Sequence, residues 1–148
     1  MHHSMKIRET IRRLWLLPLL IFMLSIGAAA KCPTGDVTVK GTVAGLPSGV
    51  SGLELTATVE TPKGNSSKST PLSNGDFSVS VPFSTRSTSF MGGDRCHNTP
   101  TVVEVRIASP EKVYVQKRLQ FKESFETYGS FLYRLKHELN LDVKADGK

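Results

Sequence analysis

Cysteine and histidine are scarce in this sequence of 148 residues, which contains two cysteines and four histidines. His2 and His3 lie at the N-terminus, so only His97 and His137 belong to the later part of the chain. A zinc site normally needs three or four ligands at recognisable spacing, and Cys96, His97 and His137 show no such spacing. We therefore predict no metal, no cofactor and no catalytic residue.

The chain also lacks a clustered basic face, although its formal net charge is +6. Four basic residues and one acidic residue lie within residues 1 to 30, so the remainder carries a net charge of only +3. Acidic residues are interspersed among those later basic residues, whereas nucleic-acid-binding domains usually cluster Lys and Arg on one face. The sequence therefore predicts no nucleic-acid partner.

No apolar run reaches the roughly 20 residues of a comfortable membrane span. The apolar run LWLLPLLIFMLSIG (residues 14 to 27) follows four basic residues and precedes three alanines. That order is typical of a secretory signal peptide, which we predict over residues 1 to 30 with cleavage after Ala30. The protein is then secreted or periplasmic, without membrane contact after cleavage. The alternative is a protein anchored in the membrane by its uncleaved signal.

Both cysteines, Cys32 and Cys96, follow the predicted signal peptide. Thiols pair in an oxidising compartment, and two cysteines allow one intramolecular pairing. We predict a Cys32–Cys96 disulfide, which by chain entropy contributes up to about 4 kcal/mol. As an alternative, Cys96 beside His97 could act as a nucleophile or a metal ligand, with His137 as a second imidazole.

Alternation of apolar and polar residues with a period of two is the main pattern after the signal peptide. The segment TPKGNSSKS (residues 61 to 69) lacks it and, with its Pro, Gly and Asn, is predicted to be a loop. The segment FLYRLKHELNLDV favours strands over a short helix near residues 123 to 138, because more of its apolar residues share the parity of a strand. Further strands are predicted over residues 36–43, 53–60, 77–83, 101–107 and 112–121.

Short strands separated by turns, with no long helix, predict an all-β protein. The expected architecture is an antiparallel two-sheet Greek-key sandwich that follows the N-terminal signal peptide. Residues 31 to 148 are expected to form this sandwich as a single domain.

Residues 36 to 83 contain VKGTV, GLPSGVSGLELTATV and STPLSNGDFSVSV, in which a G-x-V strand, an embellished turn, a second strand and an N-G-x-F turn follow in order. This order resembles the carboxypeptidase-regulatory-like and transthyretin-like (prealbumin-like) sandwich domains. The chain then departs from the family, since FSTRSTSFMGGDRC stands where a G-x-Y-x-L strand is usual. The resemblance implies an accessory or binding module rather than an enzyme.

Residues 84 to 100 have no periodicity and are long for a simple connection. Arg86, Arg95 and His97 in this segment form a candidate ligand loop, because their side chains could receive an anion or the hydroxyls of a sugar. The alternative is that they only solvate a long connection.

These observations predict a non-enzymatic binding or accessory module that is stabilised by one disulfide and placed in the periplasm or outside the cell. Its expected partner is a protein or a carbohydrate at the cell surface or in the periplasm. One alternative is a small secreted hydrolase or metal-dependent enzyme that uses Cys96, His97 and His137. Another is a membrane-tethered structural module.

Overall fold

The structure, a computed structural model, describes residues 31 to 73, 75 to 88 and 94 to 146. The signal peptide predicted for residues 1 to 30 lies outside the described residues. In chain order the elements are β1 Thr34–Ala44, β2 Glu54–Thr61, β3 Gly64–Pro71, β4 Gly75–Ser84, β5 Ser87–Thr88, β6 Asp94–Arg95, β7 Val102–Ala108, β8 Val113–Gln120, α1 Phe121–Ser124, β9 Phe125–Gly129, β10 Leu132–Leu135, β11 Leu139–Asp142 and α2 Val143–Asp146.

Two sheets face each other, which confirms the predicted all-β two-sheet sandwich. The first sheet, here the front sheet, has the order β4-β1-β10-β9. The strand β11 also pairs with β1, at residues that follow those paired with β10. The second, the back sheet, has the order β3-β2-β7-β8. The chain crosses from β1 to the β2–β3 hairpin of the back sheet, and β4 then returns to lie antiparallel beside β1, which is the closing step of a Greek key.

The core lies between the sheets and is built from the alternating residues of the predicted strands. In β1, for example, Val37 and Val39 are fully buried, while Thr38 and Lys40, which alternate with them, face outward. Burying one such aliphatic side chain stabilises the fold by about 1.5 to 3 kcal/mol. Among the other core residues are Leu55, Ala57, Val59, Val79, Val81, Phe83, Val103, Val105, Ile107, Val115, Leu139 and Leu141.

The strand β1 changes its parallel partner partway along its length. Its residues 36 to 38 pair with β10, and its residues 41 to 44 pair with β11. Gly41 permits the change, because a Cβ atom on this residue would lie only 1.9 Å from the carbonyl oxygen of Leu139. The connection from Lys136 to Glu138 therefore interrupts the front sheet beside β1.

The loop predicted for residues 61 to 69 is wrong, because the structure places the strand β3 there. A two-residue turn of Pro62 and Lys63 joins β2 to β3, which pair over their whole length. Hydroxyl pairs such as Thr56 Oγ1 with Ser69 Oγ, 2.8 Å apart, link the two strands. Alternation cannot detect this strand because β3 is an edge strand without an apolar face.

The last segment forms the strands β10 and β11, as the strand interpretation predicted, whereas β9 lies before this segment and was not predicted. Within the described residues, helix is limited to the single turns α1 and α2. Both helices have four residues. In the part of the chain that the structure describes, no helix is long and apolar enough to cross a membrane.

Candidate ligand-binding groove

A disulfide joins Cys32 to Cys96 with a Cα–Cα distance of 5.3 Å, which confirms the predicted pairing. It connects the segment before β1 to the segment after β6. Cys96 therefore has no thiol that could act as a nucleophile or bind a metal ion. Among residues 31–73, 75–88 and 94–146, no group of three or more His, Cys, Asp or Glu is placed to hold a metal ion.

Two buried polar residues, Thr85 and Asn98, hold this end of the sandwich together. Thr85 Oγ1 donates to the carbonyl oxygen of Pro33, and the main-chain N–H of Asn98 donates to the carbonyl oxygen of Thr85 at 3.0 Å. The chain on either side of the disulfide is thereby bonded to the end of β4. Both residues lie in an aperiodic segment, where the sequence carries no signal for burial.

The predicted ligand loop lies beside the disulfide on the short β5–β6 ribbon. Ser87 pairs with Arg95, and Ser87 Oγ donates to the carbonyl oxygen of Arg95 at 3.0 Å. Arg86 precedes this pair and His97 follows it, so the ribbon brings together the segments that carry all three predicted residues. Arg86, Arg95 and His97 are exposed. Their role in ligand binding stays a prediction.

A different surface offers a concave site, on the outer face of the front sheet. We call it the front groove; its volume is about 440 Å³. Its centre is a row of residues that register brings together across the sheet, with Thr38 opposite Arg134 and Arg134 opposite Glu126. It is lined by Thr38, Lys40, Glu126, Tyr128, Arg134, Leu135, Lys136 and Glu138.

Tyr128 and Arg134 form a cation–π pair in the front groove. The guanidinium carbon of Arg134 lies 5.7 Å from the centroid of the Tyr128 ring. Arg134 Nε also donates to Glu126 Oε1 at 2.7 Å, so the cation is held on both sides. Tyr128 is nevertheless 50% exposed, more than any other large apolar or aromatic side chain among the described residues. An exposed aromatic ring of this kind offers an apolar contact surface with a polar tip.

Three further charged side chains line the front groove, those of Lys40, Lys136 and Glu138. Lys136 Nζ donates to the main-chain carbonyl oxygens of Lys122 and Glu123, which fixes the connection between β10 and β11. Within the described residues, neither Lys40 nor Glu138 has a hydrogen-bond or ion-pair partner through its side chain. Both side chains also line a second depression of about 350 Å³, which the front groove joins there and which Asp76 and Ser78 help to line.

The sequence did not identify the front groove as a candidate site. Its polar residues occupy the outward positions of amphipathic strands, where solvated side chains are the ordinary expectation. Tyr128 lies between the strands that alternation predicts, so the sequence carried no signal for its exposure. No family model, curated protein or solved structure matches this chain.

Proposed function

We propose that this protein is a non-enzymatic binding or accessory module, secreted or periplasmic, whose front groove contacts a protein or carbohydrate partner. The observation that carries the proposal is the exposed Tyr128 ring, which lies in a concave polar surface against Arg134, itself paired with Glu126. Ligand sites combine an apolar or aromatic surface with a few converging polar groups, and the front groove has both.

The proposed location rests on the disulfide and on the predicted signal peptide. Structural disulfides persist in secreted and periplasmic proteins, and Cys32–Cys96 is such a bond. The resemblance of residues 36 to 83 to the carboxypeptidase-regulatory-like and transthyretin-like domains supports the same class of module. In the periplasm or outside the cell, exposed strands and loops of a β-sandwich are the surfaces available to a partner.

Solution NMR of the isotope-labelled protein, produced from Lys31 onward with its disulfide intact, tests the location of the site. The probes are cellohexaose, hexagalacturonate and an extended peptide of alternating Ser and Val. We expect amide shifts that cluster at Thr38, Tyr128 and Arg134, with the back sheet unchanged at Thr56 and Glu104. Each probe should be recovered intact after incubation, because a binding module does not cleave its ligand.

Two results would contradict the proposal. Shifts concentrated at Arg95 and His97 would move the site to the predicted ligand loop. Cleavage of a probe that stops when His97 or His137 is replaced by Ala would instead support the alternative of a small secreted hydrolase.

A further inference from the structure

The chemistry of the front groove narrows the class of ligand that it can hold. The front groove and the depression beside it are lined by three cationic and three anionic side chains. These side chains are Lys40, Arg134, Lys136, Asp76, Glu126 and Glu138. A polyanion meets carboxylates along this surface, and a polycation meets ammonium and guanidinium groups. Balanced charge of this kind disfavours both, because like charges in contact oppose binding.

Lys40 and Glu138 favour a ligand that carries hydroxyl groups. An ammonium group only donates hydrogen bonds and a carboxylate only accepts them, whereas a hydroxyl does both. A hydroxyl that lies between Lys40 and Glu138 can accept from Nζ and donate to a carboxylate oxygen. Both side chains are available for this, since neither is paired within the described part of the chain.

Tyr128 supplies the apolar surface that such a ligand also needs. A pyranose ring has an apolar C–H face, which packs on an aromatic ring, and hydroxyls at its edge, which bind polar groups. By contrast, a peptide strand needs pockets for its alternate side chains. The two depressions offer little apolar surface for such pockets, because their linings include only Leu135 and Phe77 as aliphatic or phenyl groups. Phe77 is 9% exposed, so little of its ring is accessible.

We propose that the front groove binds an uncharged oligosaccharide, with one sugar ring stacked on Tyr128 and a following unit bonded by Lys40 and Glu138. The two depressions meet at these two charged side chains, so the ligand is a chain that extends from one into the other. This inference rests on the proposed function, since it assumes that the front groove is the binding face.

Isothermal titration calorimetry tests the proposal with the disulfide-bonded protein and a panel of hexasaccharides. The neutral probes are cellohexaose, maltohexaose, xylohexaose, mannohexaose and N-acetylchitohexaose, and the charged probe is hexagalacturonate. At least one neutral probe should bind at millimolar or lower concentration, and its affinity should change little with added sodium chloride because no net charge is neutralised. Tyr128→Ala should weaken that binding by about tenfold or more, while Tyr128→Phe keeps most of it.

Matched variants separate the groove from the rest of the surface. Val113→Ala removes a second large exposed apolar side chain of the described residues, which is 40% exposed on the back sheet, and should leave the affinity unchanged. Glu138→Gln should weaken the neutral ligand and strengthen hexagalacturonate, since it removes a repulsive charge. Circular dichroism and the midpoint of thermal unfolding confirm that each variant is folded.

The outcomes distinguish this inference from the proposed function. If hexagalacturonate or the Ser-Val peptide binds at the front groove and no neutral probe does, the oligosaccharide inference is overturned while the binding face stands. If a neutral probe binds and Tyr128→Ala has no effect on it, both are overturned. If no neutral probe binds at millimolar concentration, the oligosaccharide inference is overturned.

Discussion

The side-chain nitrogen Nδ2 of Asn98 donates a hydrogen bond to the main-chain carbonyl oxygen of Ser84 at 2.6 Å. The same nitrogen also donates to Thr61 Oγ1 at 3.0 Å, and Asn98 is only 3% exposed. One buried amide thus joins the end of β4, in the front sheet, to the end of β2, in the back sheet. It lies two residues after Cys96, so the disulfide and the amide hold the same segment against both sheets.

Replacing Asn98 with Ala should lower the free energy of unfolding by about 1 to 3 kcal/mol, because the carbonyl oxygen of Ser84 loses its Nδ2 donor and the link to Thr61 is removed. Urea denaturation monitored by far-UV circular dichroism measures the change. The matched control is Asn65→Ala on the exposed edge strand β3, which should change the stability by less than about 0.5 kcal/mol. Equal effects of the two replacements would show that the amide of Asn98 does not join the sheets.

Replacing both Cys32 and Cys96 with Ser should lower the free energy of unfolding by up to about 4 kcal/mol, because the unfolded chain regains the entropy of a loop closed across 64 positions. The midpoint of thermal unfolding reports the change. Dithiothreitol should lower the midpoint of the unaltered protein to a similar value and leave that of the double variant unchanged. A double variant as stable as the oxidised protein would contradict this account of the bond.

The strands with an apolar face could be predicted from the sequence, and the strand without one could not. In β1 the alternation of Val37 and Val39 with Thr38 and Lys40 reports directly which face is buried. In β3 no residue is buried, so its only determinant is pairing with β2, which is a tertiary property. The disulfide could be predicted because two cysteines leave a single pairing.

The front groove could not be predicted, because it depends on which strands lie side by side. Thr38 and Arg134 are far apart in sequence and become neighbours only through the parallel pairing of β1 with β10. Alternation predicts faces but not strand order. The predicted ligand loop relied instead on proximity in sequence, which placed Arg95 and His97 together. The front groove lies on the outer face of the front sheet and includes neither residue.

Replacing Gly41 with Ala should destabilise the protein by about 3 kcal/mol, because the added Cβ would overlap the carbonyl oxygen of Leu139 at 1.9 Å and force β11 away from β1. Hydrogen exchange measures where the loss falls, and the amides of β11 should lose protection before those of the β2–β7 pair. The control is Thr42→Ala, which removes only an exposed hydrogen bond to Asn140 Oδ1 and should cost about 1 kcal/mol or less. Unchanged protection of β11 in the Gly41 variant would contradict the expected displacement.

Phe131 occupies the left-handed region of backbone conformation, with φ of 59°, in the turn that joins β9 to β10. That conformation costs a residue with a Cβ atom about 1 kcal/mol or more relative to glycine, and the carbonyl oxygen of Phe131 holds it in place by accepting from the N–H of Asp36 at 2.9 Å. Phe131→Gly should therefore be more stable than Phe131→Ala by about 1 kcal/mol in chemical denaturation. At the neighbouring Ser130, which has no positive φ, the same pair of replacements should show no advantage for glycine. An Ala variant at position 131 that matches or exceeds the Gly variant would show that the turn relaxes to an ordinary conformation.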